Sequence, residues 1–202
     1  SKVIQVDLMP KVGMQPIRRQ QLIHATLSAV NELGFADASI SQIAKRAGVS
    51  TGIISHYFDG KHGLIEATMR YLLQQLGESI AAALQSAGEL PEQRLIAIVR
   101  ANFSASQTDK AAMKTWLAFW ASSLHQPDLH RLQQVNHHRL HSNIKYEFEK
   151  HLDRQQAEYA AQGLAALIDG FWLRGSLMTT DLDAAVPIQI CSAYIQQQLK
   201  TP

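Results

Sequence analysis

The stretch that most constrains this chain is residues 39–58, SISQIAKRAGVSTGIISHYF. It reads as two short helices joined by a tight turn. Ser39 and Gln42 have the spacing of a capping box, which satisfies orphan backbone donors at a helix start. Ile40, Ile43 and Ala44 recur at helical spacing, so one face of this first helix is buried. Gly48 follows the cationic pair Lys45 and Arg46, the pattern of a helix stop. Ser50 or Thr51 caps the second helix, whose Ile53, Ile54 and Phe58 point back to the first. A short helix, a glycine turn and a second short helix make a helix-turn-helix unit. Thr51, Gly52, Ser55, His56 and Tyr57 are left outside, where hydroxyls and imidazoles can reach phosphates and base edges in a major groove. The plainer reading of the same pattern is a helical hairpin with a polar outer face.

Charge placement favours the first reading. The net charge of +2 is too small for bulk attraction to nucleic acid, but it is unevenly spread. Residues 1–62 hold seven Lys/Arg against four Asp/Glu, and residues 63–202 hold twelve against thirteen. The basic excess therefore lies with the helix-turn-helix, as a local electrostatic footprint requires. At 202 residues and 46% hydrophobic content the chain can bury a core. No apolar run approaches the ~18 residues of a membrane span. The single cysteine, Cys191, excludes an intrachain disulfide and reads as a buried thiol.

The rest of the chain is helical in pattern. Residues 1–15 lack periodicity and are expected to form a flexible arm, in which Arg18 and Arg19 just beyond could reach a phosphate or remain solvated. Pro16 opens a helix that Gly34 ends. Residues 64–84 form a long rod joining both halves of the chain. Pro91 opens the next helix, residues 104–109 interrupt it, and helices follow over 110–124 and 127–152. Asp153 with Gln156 is a second capping box. It precedes a helix through 160–173 and a last one through 188–199. No strand alternation or repeat occurs, so the expected fold is all-α with about nine helices. The division is a helix-turn-helix domain over 16–62 and a larger ligand-binding and dimerisation domain over 63–202.

The run from Ile43 to Gly52, then Ser55-His56-Tyr57-Phe58, then Lys61 and Leu64, resembles the tetracycline-repressor family of transcriptional regulators. Residues 9–14, 112–123 and 163–174 extend the resemblance to the family's choline-sensing branch, repressors of glycine betaine synthesis. The resemblance implies a cytoplasmic homodimer that represses osmoprotectant genes on double-stranded operator DNA and is relieved by choline. By position, Ser50, Thr51, Gly52 and Ser55 would face the groove. His56, Tyr57 and Lys61 would hold phosphates, and Ser39 would offer its backbone donors to another. It implies no enzyme activity and no cofactor, and the residues agree: there is no nucleophile elbow, phosphate loop or paired carboxylate. A repressor of the same type sensing another small amine or apolar ligand is the alternative; a small-amine enzyme is the more distant one.

A quaternary ammonium offers no hydrogen-bond donor on its methylated end, so its recognition needs aromatic faces, optionally with a carboxylate nearby. Trp116 and Trp120 share a helical face with Phe119 at its edge, and Trp172 and Asp169 share another. Phe103 could add a wall. The competing reading is core packing for the aromatics and a salt bridge to Arg174 for Asp169, and which aromatics line a cavity stays open. Gly163, Ala166 and Gly170 recur at steps that allow close helix approach, and Ile188, Ile195 and Leu199 follow on the last helix. These are the candidate two-fold interface; the helix carrying Gly163 to Gly170 could instead be the buried centre of its own domain, and both can hold for different faces. His137 and His141 are one turn apart but lack a third ligand motif, so no metal is expected.

Overall fold

The computed structural model describes residues 14–34 and 37–200. Among these there are ten helices and no strand. The arm expected over residues 1–15 lies almost entirely outside them. The first helix, α1 (Met14–Leu33), starts before Pro16, which its first turn tolerates because the amide there has no helical partner. Arg18 and Arg19 are therefore helical rather than part of an arm.

The helix-turn-helix forms for the local reasons its residues give. In α2 (Ile40–Ala47) the capping box closes in both directions: the Gln42 amide donates to Ser39 Oγ at 3.3 Å and the Ser39 amide to Gln42 Oε1 at 3.0 Å. Gly48 ends it at φ +66°, a conformation that a side chain would strain. The chain enters α3 (Thr51–Phe58) through Ser50, whose backbone sits at the cap but whose hydroxyl makes no capping bond. Asp59 and Gly60 are both left-handed, which turns the chain directly from α3 into α4 (Gly60–Ser86). Gly63 makes that corner possible. A Cβ there would lie 1.7 Å from the Phe58 carbonyl oxygen, so only glycine lets the rod start this close to α3.

The remaining helices are α5 (Pro91–Asn102), α6 (Ala105–Thr108), α7 (Lys110–Ser123), α8 (Pro127–Phe148), α9 (Arg154–Leu177) and α10 (Ala185–Leu199). The difference between nine and ten is α6. The polar stretch expected only to interrupt a helix makes one helical turn of its own. Asp109 then caps α7 by accepting from the amides of Ala111 and Ala112 at 3.0 and 3.4 Å.

Two apolar cores form. The smaller joins α1, α2, α3 and the start of α4 through Leu22, Val30, Ile43, Ile54 and Leu64. The larger joins the rest of α4 to α5 and α7–α10. Leu27 and Tyr71 pack against both, so the two cores touch rather than hang from a hinge. The larger core contains a buried ion cluster. Glu147 is 2% exposed and accepts from Arg94 Nε at 2.8 Å and Lys150 Nζ at 2.6 Å. Arg94 also donates to the Leu84 carbonyl at 3.3 Å, tying α5 to α8 and to the end of α4. Cys191 is fully buried, and burial pushes its thiol up to about 11, which leaves it protonated and inert.

Candidate nucleic-acid interface and ligand cavity

Burial of Ile54 and Phe58 sets the rotation of α3. Thr51, Gly52, Ser55 and His56 are consequently exposed on its opposite side, with Tyr57 half-buried. The Ser50 hydroxyl is exposed and not spent on the cap, so it belongs to this face. Lys61 follows on the first turn of α4, half-buried. Ser39 departs from the expectation. Its amide and hydroxyl are both engaged by Gln42, so they are not open donors for a phosphate.

Two arginines near this face have other work. Arg19 donates to the Tyr57 carbonyl at 2.6 Å and its guanidinium lies 4.4 Å from the centre of the Phe58 ring, bracing the end of α3 against α1. Arg46 pairs with Glu32 on α1. Lys45 is exposed on α2 beside the turn and is a cation the motif reading passed over, because its place at a helix end looked like a stop signal alone.

In the larger core, α4, α5, α7, α8 and α9 surround a cavity. Trp116 and Trp120 of α7 and Trp172 and Asp169 of α9 line it, so these four expected residues do come together. Trp116 and Trp172 meet edge to face with centroids 5.5 Å apart. Phe103 and Phe119 do not line the cavity. Phe119 is fully buried against the edge of Trp116, and Phe103 packs on Phe171 with centroids 6.2 Å apart. Their burial supports the walls rather than forming them. The sequence reading also passed over the contributions of α4 and α8, Gly77, Asn136 and Arg139 among them. They lie on the same faces as Leu73, Leu76, Ile80 and Leu140, but a glycine, an amide and a cation give no apolar signal of their own.

The chemistry of the lining is specific. The indole N–H groups of Trp116 and Trp120 are buried and have no acceptor among the described residues. Asp169 makes no hydrogen bond or ion pair with Arg174 or any other described residue. It is exposed at the cavity rim, and the protein packed around its carboxyl raises it above the usual range, with His137 pulling the other way. The enclosed space is about 30 Å³, room for about two water molecules. It adjoins an open crevice of about 590 Å³ between α4 and α8 that shares Leu73, Gly77, Ile80, Asn136 and Arg139 with it.

The expected interface residues separate. Ala166 and Gly170 face open space on α9. Gly163 does not: a Cβ there would lie 2.1 Å from Tyr194 Oη, so this glycine admits α10 of its own chain. Ile195 is fully buried and belongs to the core, while Ile188 and Leu199 are half-buried against it. The exposed apolar residues of α9 and α10 instead include Leu173, Leu177, Val186 and Ile190. With Ala166 and Gly170 they continue one outward stripe on α9 and another on α10.

His141 Nε2 lies 3.1 Å from Glu158, and its ring stacks on His137 with centroids 6.4 Å apart. His62, Glu66 and Asp128 place ligand atoms within 4.8 Å of one another, but Glu66 is engaged by Arg70 at 2.7 Å.

A three-helix reader carrying an exposed recognition helix, joined by a rod to a helical bundle with an aromatic cavity, defines a ligand-responsive helix-turn-helix regulator. Residues 22–68 match the bacterial regulatory proteins of the tetR family, and residues 91–200 match the BetI-type transcriptional repressor C-terminal domain. The chain belongs to the BetI-type repressors of the tetR family, and it is a DNA-binding transcriptional repressor. The HTH-type transcriptional regulator BetI of Serratia proteamaculans is 61% identical over 95% of this chain and 98% of its own length. Among solved structures, a transcriptional regulator of Pseudomonas aeruginosa superposes with TM-score 0.79 at 29% identity, covering 92% of each chain. One of Saccharomonospora viridis, solved in complex with choline, superposes with TM-score 0.77 at 18% identity over 90% of this chain and 96% of that one. Its likeness to this chain is one of fold.

Proposed function

We propose that this repressor is a cytoplasmic homodimer relieved by choline, with the reader in residues 16–62 and the sensor and dimer surface in residues 63–202. The observation that carries the ligand is the cavity. Three tryptophans converge on a space with one carboxylate that forms no ion pair or hydrogen bond among the described residues. Aromatic faces and an uncommitted negative charge are what a quaternary ammonium needs. The regulator of S. viridis, which shares this fold, is described in complex with choline. Phe103 and Phe119 act behind the walls, and Trp116, Trp120, Trp172 and Asp169 meet the ligand.

Ser50, Thr51, Gly52 and Ser55 read the groove, and His56, Tyr57 and Lys61 hold phosphates. One eight-residue helix reads too few bases for an operator, so two copies are needed, spaced by the dimer. The outward stripes of α9 and α10 supply that contact as a two-fold four-helix interface. Leu177→Glu is therefore expected to give monomers by sedimentation, and a dimeric L177E would reject this face.

The cavity as it stands is too small for choline. Ligand must part the helices around it, which shifts the balance between DNA-competent and incompetent dimers. The test is operator binding with and without millimolar choline, with Trp116→Ala as control. Release by choline in the parent and none in W116A supports the reading. Release by an unrelated amine alone would keep the repressor and reject choline.

A further inference from the structure

Arg139 occupies the boundary between the aromatic cavity and the α4–α8 crevice, lining both. Its Nη1 lies 3.3 Å from where a Cβ on Gly77 would sit, so the exposed guanidinium rests close against α4 at this glycine. Among the described residues it has no ion pair and no hydrogen bond. A cation beside a proposed cation site is a cost unless it does something for the ligand.

The geometry says what. Arg139 and Asn136 line both the cavity and the crevice, so a tail attached to a trimethylammonium group held among the tryptophans runs past them toward the crevice. A guanidinium only donates hydrogen bonds. The atoms that come to rest beside it must accept them. Resting on the cation cage proposed above, we propose that Arg139 is a specificity residue that selects the ligand's tail: it admits quaternary ammonium compounds ending in an oxygen acceptor and rejects those ending in a second cation. The ligand class is thus a monocation with a hydroxyl, carbonyl or carboxylate end, and it includes zwitterions. Charge-assisted bonds are the stronger ones, so a carboxylate tail depends on Arg139 more than a hydroxyl does. The crevice also makes Arg139 a swinging side chain during access, since it must leave Gly77 for ligand to pass.

All three tryptophans of the chain line the cavity, so their fluorescence reports the site directly. The experiment titrates the full chain and its Arg139→Met and Arg139→Lys variants with tetramethylammonium, choline, glycine betaine and a diamine bearing one trimethylammonium end. Met keeps the aliphatic packing over Gly77 without the donors. In the parent, choline and betaine are expected to bind more tightly than tetramethylammonium, and the diamine more weakly. In R139M the betaine advantage is expected to fall about 10- to 100-fold, and the choline advantage by less, the loss of one hydrogen bond to a charged or neutral acceptor. Tetramethylammonium binding should hold or improve, and the diamine should gain. R139K is expected to keep the rejection of the diamine and to lose part of the betaine advantage. Thermal melting of each variant checks that the fold is unchanged. Unaltered ligand ratios in R139M would overturn this proposal while leaving the cation cage intact. Failure of the parent to bind any ammonium compound would overturn both.

Discussion

Lys114 on α7 donates from Nζ to the main-chain carbonyl of Asn31 on α1 at 3.0 Å. The bond crosses from the bundle to the DNA-reading unit, and Lys114 lies two residues from Trp116 in the cavity wall. The rod α4 is therefore not the sole mechanical link. A ligand that moves α7 also pulls on α1, whose Arg19 braces the recognition helix at the Tyr57 carbonyl. Allosteric coupling needs such a contact between elements that both sites bias.

Replacing Lys114 with Met should weaken that coupling while leaving both sites in place. Choline affinity by tryptophan fluorescence is expected to stay within about threefold, and the choline-induced loss of operator affinity to shrink by about tenfold, a coupling change of ~1.4 kcal/mol. Unchanged release of DNA would show that α4 alone carries the signal.

Gly52 sits exposed in α3, and a Cβ there would meet nothing of its own chain closer than Ser50 Oγ at 4.0 Å. Internal packing therefore does not require glycine, and glycine in a helix costs ~1 kcal/mol relative to alanine. Gly52→Ala should raise stability by about 0.5–1 kcal/mol in urea unfolding. It should also reduce operator affinity at least about tenfold, because the methyl separates the helix from the groove. Undiminished DNA binding would remove Gly52 from the interface.

Cation binding should depend on pH through Asp169. Its carboxyl titrates above the usual range because the protein packed around it removes water from the charge, with His137 opposing. Affinity for choline is expected to fall as pH drops through that raised range, at higher pH than for an ordinary aspartate. Binding there should release a proton, since the ligand's charge draws the carboxyl back down. For folding the sign is reversed from the common aspartate case. The folded chain holds the proton more tightly than the unfolded one, so the stability Asp169 lends is present at low pH and lost as pH rises through its folded titration. Asp169→Asn should flatten the binding profile, and an unchanged profile in D169N would assign the dependence to another group.

Arg94→Leu should leave Glu147 buried with Lys150 as its one remaining partner. Removing one member of a buried pair costs ~3–5 kcal/mol, and Lys150 should hold the loss to about 2–3 kcal/mol. Equilibrium unfolding would measure it. Adding Glu147→Leu should restore part of the loss, because the uncompensated charge goes with it.

The helix-turn-helix could be read from the sequence because each of its signals is local. A capping box, a glycine that must be left-handed and an apolar face of one turn are decided within a few residues, and Ser39, Gln42, Gly48, Ile54 and Phe58 behave accordingly. The same holds for the all-helical pattern and for the capping box that starts α9. The cavity and the outer face are different. Phe119 and Trp120 are neighbours, yet one is buried behind the wall and the other is in it. Ile190 and Ile195 lie on one helix, yet one faces out and the other fills the core. Periodicity says that such residues share or change faces; it does not say what lies opposite. That was decided by where α4 and α8 pack across α7 and α9, bringing Gly77 and Arg139 from distant parts of the chain to the aromatic wall, and by Tyr194 taking the space that Gly163 leaves. Contacts between elements far apart in sequence depend on the sum of all packing, so the tertiary structure alone could settle them.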